Sequence, residues 1–332
     1  MIKSTKDLLR KVVHYASNKS DHIWQLQTLN QLRYKFSALK HGIELNRSEK
    51  SVLFNLRRNI HRLEKGLSYS TLKGVFAEDY IDETVRFFHK SVSSNLIDED
   101  TQKWAVSVLS LYFSSVKLNE KLSLIKEKFE AVPVGFPCDT YVPYLSSTRP
   151  SLSVTYDDLL QLSIRRRSVR YFSDMPVRIE DVRKAYEVAK YAPSACNRQA
   201  FQFLFFDDKA IVDQLSNIPG GVSGYTLPSI MIVLGRYDGY FDVRDINAPV
   251  IDSSLSIMSF LYAAETIGLG SVCINWPNLP DREAKLRKLL SIQPSEFVVM
   301  MIGLGYPLNE GKIPYSAKRP NNSALLFNQR IK

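Results

Sequence analysis

No histidine follows His89 in this chain of 332 residues; the five present are His14, His22, His41, His61 and His89. Chemistry in the second half must therefore proceed without its own imidazole as general base, triad member or metal ligand. A bound cofactor is the economical alternative. Cysteine is scarcer still. Cys138, Cys196 and Cys273 are odd in number, widely spaced and form no C-x-x-C pair, which argues against a disulfide framework and a zinc site and suits a reduced compartment. Long apolar runs are also missing. The densest, Phe297 to Leu308, is interrupted by glycines and a proline and falls short of the roughly 20 residues of a membrane span. Met1-Ile2-Lys3-Ser4-Thr5-Lys6-Asp7 places charges where a secretory signal needs its apolar stretch. The expectation is a cytoplasmic protein with no membrane partner.

What is present suffices for a folded protein of two domains. Apolar residues make up 45% and charged residues 23% of the chain, close to soluble globular averages. The formal charge of +10 is uneven: residues 1–150 hold 23 Lys plus Arg against 16 Asp plus Glu, and residues 151–332 hold 21 against 18. So diffuse an excess reads as a solvated surface and not as a nucleic-acid footprint.

Apolar spacing of three and four predicts helices at Leu8, Leu9, Val12 and Val13, then at Leu26, Leu29, Leu32 and Phe36, then over 48–65, 79–92 and 99–129. X-Pro pairs between Val132 and Pro150 interrupt this pattern, which predicts a helical domain over 1–150 and a second domain over 151–332. In the second part, helices are expected over 156–165, 179–191, 251–267 and 281–290. Short branched or aromatic runs at 201–206, 229–234, 271–274 and 296–304 predict strands. The class is α+β around a small sheet.

Four segments stand out. Arg166-Arg167-Ser168-Val169-Arg170 follows a helix. If extended, it projects Arg166, Ser168 and Arg170 to one side over about 13 Å, a reach suited to a ligand with a phosphate at one end and a polar ring at the other. By itself the pentapeptide also fits a solvated basic cluster or a nuclear-localisation run. Pro193-Ser194-Ala195-Cys196-Asn197-Arg198-Gln199 is a polar loop between helix and strand, equally readable as an ordinary connection. Gly268-Leu269-Gly270 runs into Asn275-Trp276-Pro277, and Gly303-Leu304-Gly305-Tyr306-Pro307 precedes Lys318-Arg319-Pro320. Neither glycine pair is a dinucleotide fingerprint, because the third glycine is absent.

Taken in order over about 170 residues, the four segments resemble the nitroreductase-like FMN-dependent flavoproteins. The resemblance implies an α/β sandwich that dimerises with FMN in clefts between subunits, preceded here by the all-helical part. It places Arg166, Arg167 and Ser168 on the phosphate and ribityl chain and Arg170 near the pyrimidine edge, where its charge would stabilise the reduced ring. Pro193, Ser194, Ala195 and Asn197 would reach the flavin from the partner, supported by Gln199. Lys318 and Arg319 would close on the phosphate, and backbone at Asn275 and Trp276 would face flavin N5. The sequence departs from the family at Ala200-Phe201, where Pro-Trp is usual, at Asn275-Trp276-Pro277, where glycines are common, and at Lys318-Arg319-Pro320-Asn321-Asn322 in the tail.

The implied activity is transfer of two electrons from NAD(P)H to a nitroaromatic, quinone or similar small acceptor. Other readings are a dehalogenase, a flavin-cleaving enzyme or a pathway-tailoring oxidase of the same fold, or an assembly protein that keeps FMN structurally. In the first half, Arg58, His61, Arg62 and Lys65 share one helical face, which could grip a phosphate or acidic polymer or simply be solvated. This part also resembles the N-terminal extensions of some bacterial family members found with surface-polysaccharide genes, and it could cover the cleft.

Overall fold

The computed structural model describes residues 21–71, 74–133, 141–320 and 324–328. The expected helix around Leu8–Val13, Cys138 and the Asn321-Asn322 end of the tail motif lie outside them. Five helices come first: α1 (Asp21–Arg47), α2 (Val52–Leu67), α3 (Ile81–Ser93), α4 (Glu99–Ser115) and α5 (Glu120–Glu130). On α2 the apolar residues Val52, Leu56, Ile60 and Leu63 recur every three or four positions. They meet Val85 and Phe88 of α3, Leu109 and Tyr112 of α4 and Leu122 and Ile125 of α5 in one dry cluster.

The single helix expected over 99–129 is two helices. Val116 takes extended dihedrals, and the Asn119 side chain accepts a 2.9 Å hydrogen bond from Leu122 N. An asparagine that satisfies an otherwise unpaired amide starts a new helix more favourably than it continues an old one. The start of α4 is capped likewise, Asp98 accepting from Thr101 N at 2.7 Å.

After a short turn at Ser146–Thr148, the second part runs α6 (Tyr156–Arg165), α7 (Ile179–Ala189), β1 (Phe201–Phe206), α8 (Lys209–Ser216), β2 (Ser229–Arg236), α9 (Ala248–Thr266), β3 (Gly270–Asn275), α10 (Pro280–Leu289) and β4 (Glu296–Gly305). The strands form one antiparallel sheet in the order β1-β2-β4-β3. Strand β2 is buried on both faces, and its alternation divides the core. Met231 and Val233 pack with Ala185 of α7 and Ile257, Phe260 and Ala264 of α9, while Ile230, Ile232 and Leu234 pack with Val212 of α8 and Leu286 of α10. The sheet is thus covered on both sides, as expected for a sandwich. Helix α8 carried no clear signal in the sequence.

Helix α1 packs on the second part. Its expected apolar stripe, Leu26, Leu29, Leu32 and Phe36, is exposed. It buries Ala38, Leu39 and Ile43 instead, against Tyr237 beyond β2. Tyr34 Oη donates to Glu283 of α10 at 2.6 Å and accepts from Arg287 at 2.8 Å. The seat is tight at Gly42, where a Cβ would lie 2.5 Å from the backbone carbon of Tyr237 and 2.8 Å from Asp238 N. Backbone cannot yield as a side-chain tip can. Gly42→Ala is therefore expected to lift α1 and destabilise the protein by about 1–3 kcal/mol in urea unfolding, despite the better helix propensity of alanine.

Candidate functional site

The arginine segment is held at the open edge of the sheet. A capping box at Thr155 and Asp158 starts α6, and the chain turns extended at Arg166. Ser168 pairs in parallel with Ser271 of β3, and Val169 N donates to Ser271 O at 2.9 Å. Ser173 N donates to Tyr306 O, and Leu308 N donates to Tyr171 O. The glycine pairs make this approach possible. Gly270 and Gly305 face each other across β3 and β4; a Cβ on Gly270 would meet Pro307 at 2.9 Å and Val169 at 3.1 Å, and one on Gly305 would meet the Phe172 ring at 2.6 Å. These glycines thus admit the arginine segment.

With Val169 turned into the core, Arg166, Ser168 and Arg170 alternate with it along the extended segment and stay partly exposed. Arg170 lines a cleft of about 380 Å³ with Tyr171, Gly224, Tyr225 and Thr226. The last three belong to a loop the sequence reading left unassigned. A larger apolar groove of about 660 Å³ runs between α7 and edge strand β1 and contains none of the expected site residues.

The guanidinium groups are poorly satisfied. Arg167 Nη1 donates only to backbone, Arg166 O at 3.0 Å and Ser163 O at 3.4 Å, and Arg170 Nη1 only to Ser168 O at 3.4 Å. Among the described residues Arg166 Nε is buried without a hydrogen-bond partner. Among the described residues none of the three makes an ion pair, whereas their neighbour Arg165 binds Glu265 at 2.9 Å. The Cys273 sulfur is crowded although its side chain opens to solvent. That desolvation raises the thiol pKa, and the charge of Arg166 opposes the rise.

The 193–199 loop is held at the other end of α9. Ala195 N donates to Asp252 Oδ2 at 2.9 Å, and Tyr240 Oη reaches the same oxygen at 2.7 Å. Gln199 N donates to Ser194 Oγ at 3.1 Å, its side-chain amide reaches Asn197 Oδ1 at 2.8 Å, and Arg57 Nε of α2 donates to Asn197 O at 2.9 Å. These bonds hold three residues with left-handed backbone: Cys196, Asn197 and Gln199, with φ of 52°, 50° and 53°. Non-glycine residues in that region cost about 1–3 kcal/mol each, so the loop keeps its shape only because its surroundings enforce it. Asp252, Tyr240 and Arg57 were not expected at the site. A lone acid near the start of an apolar helix was the one available signal.

Other expected residues are spread more widely. Asn275 ends β3 exposed, whereas the Trp276 side chain lies in the cluster with Val212 and Leu286, leaving only its backbone to face a ligand. Lys318 and Arg319 lie exposed in the extended tail and Pro193 is exposed beside the loop. The arginine segment and the loop are not brought together within one chain. Arg165 and Ala195 are tied to Glu265 and Asp252, thirteen residues apart on α9 and so about 20 Å along its axis.

The Nitroreductase family profile matches residues 164–220 and 224–306. A candidate NADH dehydrogenase/NAD(P)H nitroreductase of Archaeoglobus fulgidus is 31% identical over 156 residues, covering 46% of this chain and 88% of that protein. The chain belongs to the nitroreductase family. Its fold is the nitroreductase sandwich preceded by a helical part. The iodotyrosine deiodinase of Hydra vulgaris is 22% identical over 256 residues, covering 67% of this chain and 93% of that protein. A solved nitroreductase of Desulfovibrio desulfuricans in complex with FMN is 24% identical and covers 54% of this chain and all of its own, with a TM-score of 0.44. Among the described residues of this family member no helix is long and apolar enough to cross a membrane, and no cluster of His, Cys, Asp and Glu could hold a metal ion.

Proposed function

We propose that this nitroreductase-family protein binds FMN and transfers two electrons from NAD(P)H to a small nitroaromatic, quinone or similar acceptor. The supporting observation is the row of three guanidiniums without a carboxylate, one with a desolvated Nε that bonds to nothing. Buried cationic groups are normally paired, so this segment fits an oxyanion such as the cofactor phosphate. Arg166, Arg167 and Ser168 would hold that phosphate, with Lys318 and Arg319 closing over it. When bound, FMN supplies reversible two-electron hydride chemistry.

The protein's own part is binding, orientation and charge. Arg170, at the cleft with Tyr225, would place its guanidinium where negative charge gathers on reduction; at about 4 Å and an effective dielectric near 20 this stabilises by about 4 kcal/mol. Arg170→Ala is expected to retain flavin while lowering its midpoint potential, measured by a dye-coupled titration; an unchanged potential would remove Arg170 from this role. Pro193, Ser194, Ala195, Asn197 and Gln199 would complete the site from a second copy of the chain. The separation along α9 supports that homodimer, because one copy does not close its own loop over its own arginines. Backbone at Asn275 and Trp276 would approach the reacting edge.

The test is optical. Purified protein is expected to be yellow and to bleach within seconds of anaerobic NADPH or NADH addition, with colour returning when a quinone or nitroaromatic is added. A colourless protein that takes up no FMN would end this reading. The match to the deiodinase, reaching well beyond the family profile, favours a second one: reductive removal of halide from a halophenol. Halide release during turnover, read by an ion-selective electrode, separates the two.

A further inference from the structure

A second group of under-paired arginines lies where the helical part meets the 193–199 loop. Arg57, on the inner face of α2, is fully used: it donates to Asn197 O and to Thr101 Oγ1 at 2.7 Å and lies 5.1 Å from the Trp104 ring. Its neighbour Arg58 is different. Among the described residues it makes no hydrogen bond or ion pair, and its guanidinium lies 4.2 Å from the centre of the Phe241 ring.

The same ring is approached by two more guanidiniums, Arg244 at 5.2 Å and Arg198 at 6.0 Å. Arg198, a member of the strained loop, is only 3% exposed, yet its nearest carboxylate is Asp245 at 3.9 Å, too far for a hydrogen bond. Asp245 is shared with Arg244 at 4.0 Å. Arg62, one turn beyond Arg58, meets Asp79 at 3.7 Å, while Glu83 accepts from Asn59 at 2.9 Å. Four guanidiniums thus gather here; Asp79 and Asp245 meet Arg62 and Arg198 only beyond hydrogen-bond distance, and Glu83 and Asp252 act on Arg58 and Arg198 through charge alone. The crowding is unfavourable: burial lowers the pKa of Arg58, and the charges of Arg62 and Arg198 lower it further. A simply solvated basic face, the plainer reading of this α2 motif, would not press arginines together over an aromatic ring.

We propose that this seam binds the oxyanion, phosphate or carboxylate, of one of the two reactants, with Arg58 and Arg244 as its ligands over Phe241 and the buried Arg198 adding its charge from beneath. The proposal rests on the oxidoreductase reading given above and narrows it. The same short loop that would reach the flavin through Ser194 and Asn197 carries Arg198, so a reactant anchored here lies beside the site of electron transfer. The helical part then selects reactants by charge, beyond any role as a cover. A neutral reactant gains nothing from the seam, whereas an anionic one gains charge-assisted hydrogen bonds to planar guanidiniums.

The test uses the full-length holoprotein with Arg58→Gln and Arg244→Gln; neither residue bonds to core groups, and Arg86→Gln on α3 is the control. Pyrophosphate binding, followed by calorimetry, is expected to weaken about tenfold or more in each seam variant and not in the control. In steady state, kcat/KM for 4-nitrobenzoate relative to neutral 4-nitrobenzyl alcohol is expected to fall about tenfold if the acceptor carries the anion. If the donor carries it, KM for NADPH rises by that factor and the acceptor ratio stays. Equal pyrophosphate affinity in wild type and both variants would overturn the proposal. The calorimetric comparison needs no turnover, so it decides the seam even if no nicotinamide reduces the protein.

Discussion

Arg166→Ala is expected to weaken FMN binding by about tenfold to a hundredfold while leaving the unfolding free energy of the flavin-free protein unchanged or slightly raised. Two opposite effects meet at this residue. A charge-assisted hydrogen bond to a phosphate is worth roughly 1.5–3 kcal/mol, and that loss falls entirely on the ligand. Among the described residues Arg166 Nε is buried without a hydrogen-bond partner and the side chain makes no ion pair, so its removal relieves a desolvated group of the protein itself. A merely structural arginine would show the reverse, with stability falling and flavin affinity following it. Fluorescence titration of FMN with urea unfolding of the same samples separates the cases. Removing the charge beside Cys273 is also expected to raise that thiol's pKa further.

Apart from α8, the sandwich was legible because its helices carry apolar spacing and its strands are short apolar runs. The continuous apolar run of β2, buried on both faces, and the three-and-four spacing of α2 are visible in sequence as they are in space. The break before α5 was hidden because Asn119 caps a helix only if the chain has already left one, a choice made by the surrounding side chains. The exposed stripe of α1 misled for a related reason: spacing identifies a face but not which of two faces finds a neighbour, and Gly42 decided that in favour of Ala38, Leu39 and Ile43. At the candidate site, the arginine segment and the loop stand out by their residue types and order, and only the family resemblance gives them roles. Asp252, Tyr240 and Arg57 could not, since they act through contacts spanning 12 to 140 positions. The glycine pairs, which carry no dinucleotide fingerprint, have a packing cause: Gly270 leaves space for Val169 and Gly305 for Phe172.

Asp252→Ala is expected to destabilise the protein by about 2–5 kcal/mol and to release the loop that would reach the flavin, whereas Asp252→Asn is expected to keep both. Alanine leaves Ala195 N and the buried Tyr240 Oη without their acceptor, at about 1–3 kcal/mol each, and frees the three left-handed residues to relax. Asparagine can offer one oxygen to both donors. The two variants also differ from wild type in pH dependence. Burial raises the Asp252 pKa above the 3.8 of a free aspartate, with the Tyr240 and Ala195 hydrogen bonds and Arg198 opposing it. The folded state therefore holds the proton more tightly than the unfolded one, and this contribution is present below pH 3.8 and lost as pH rises through the folded pKa. Over that window wild type is expected to lose stability relative to Asp252→Asn. In the proposed dimer the loop and the arginines of one site come from different copies, so mixing Arg166→Ala chains with Asp252→Ala chains concentrates both lesions in one of two sites. The other site is intact, and random exchange of subunits is expected to restore about a quarter of wild-type flavin sites. A mixture with no more bound FMN than its components would mean that each copy builds its site alone.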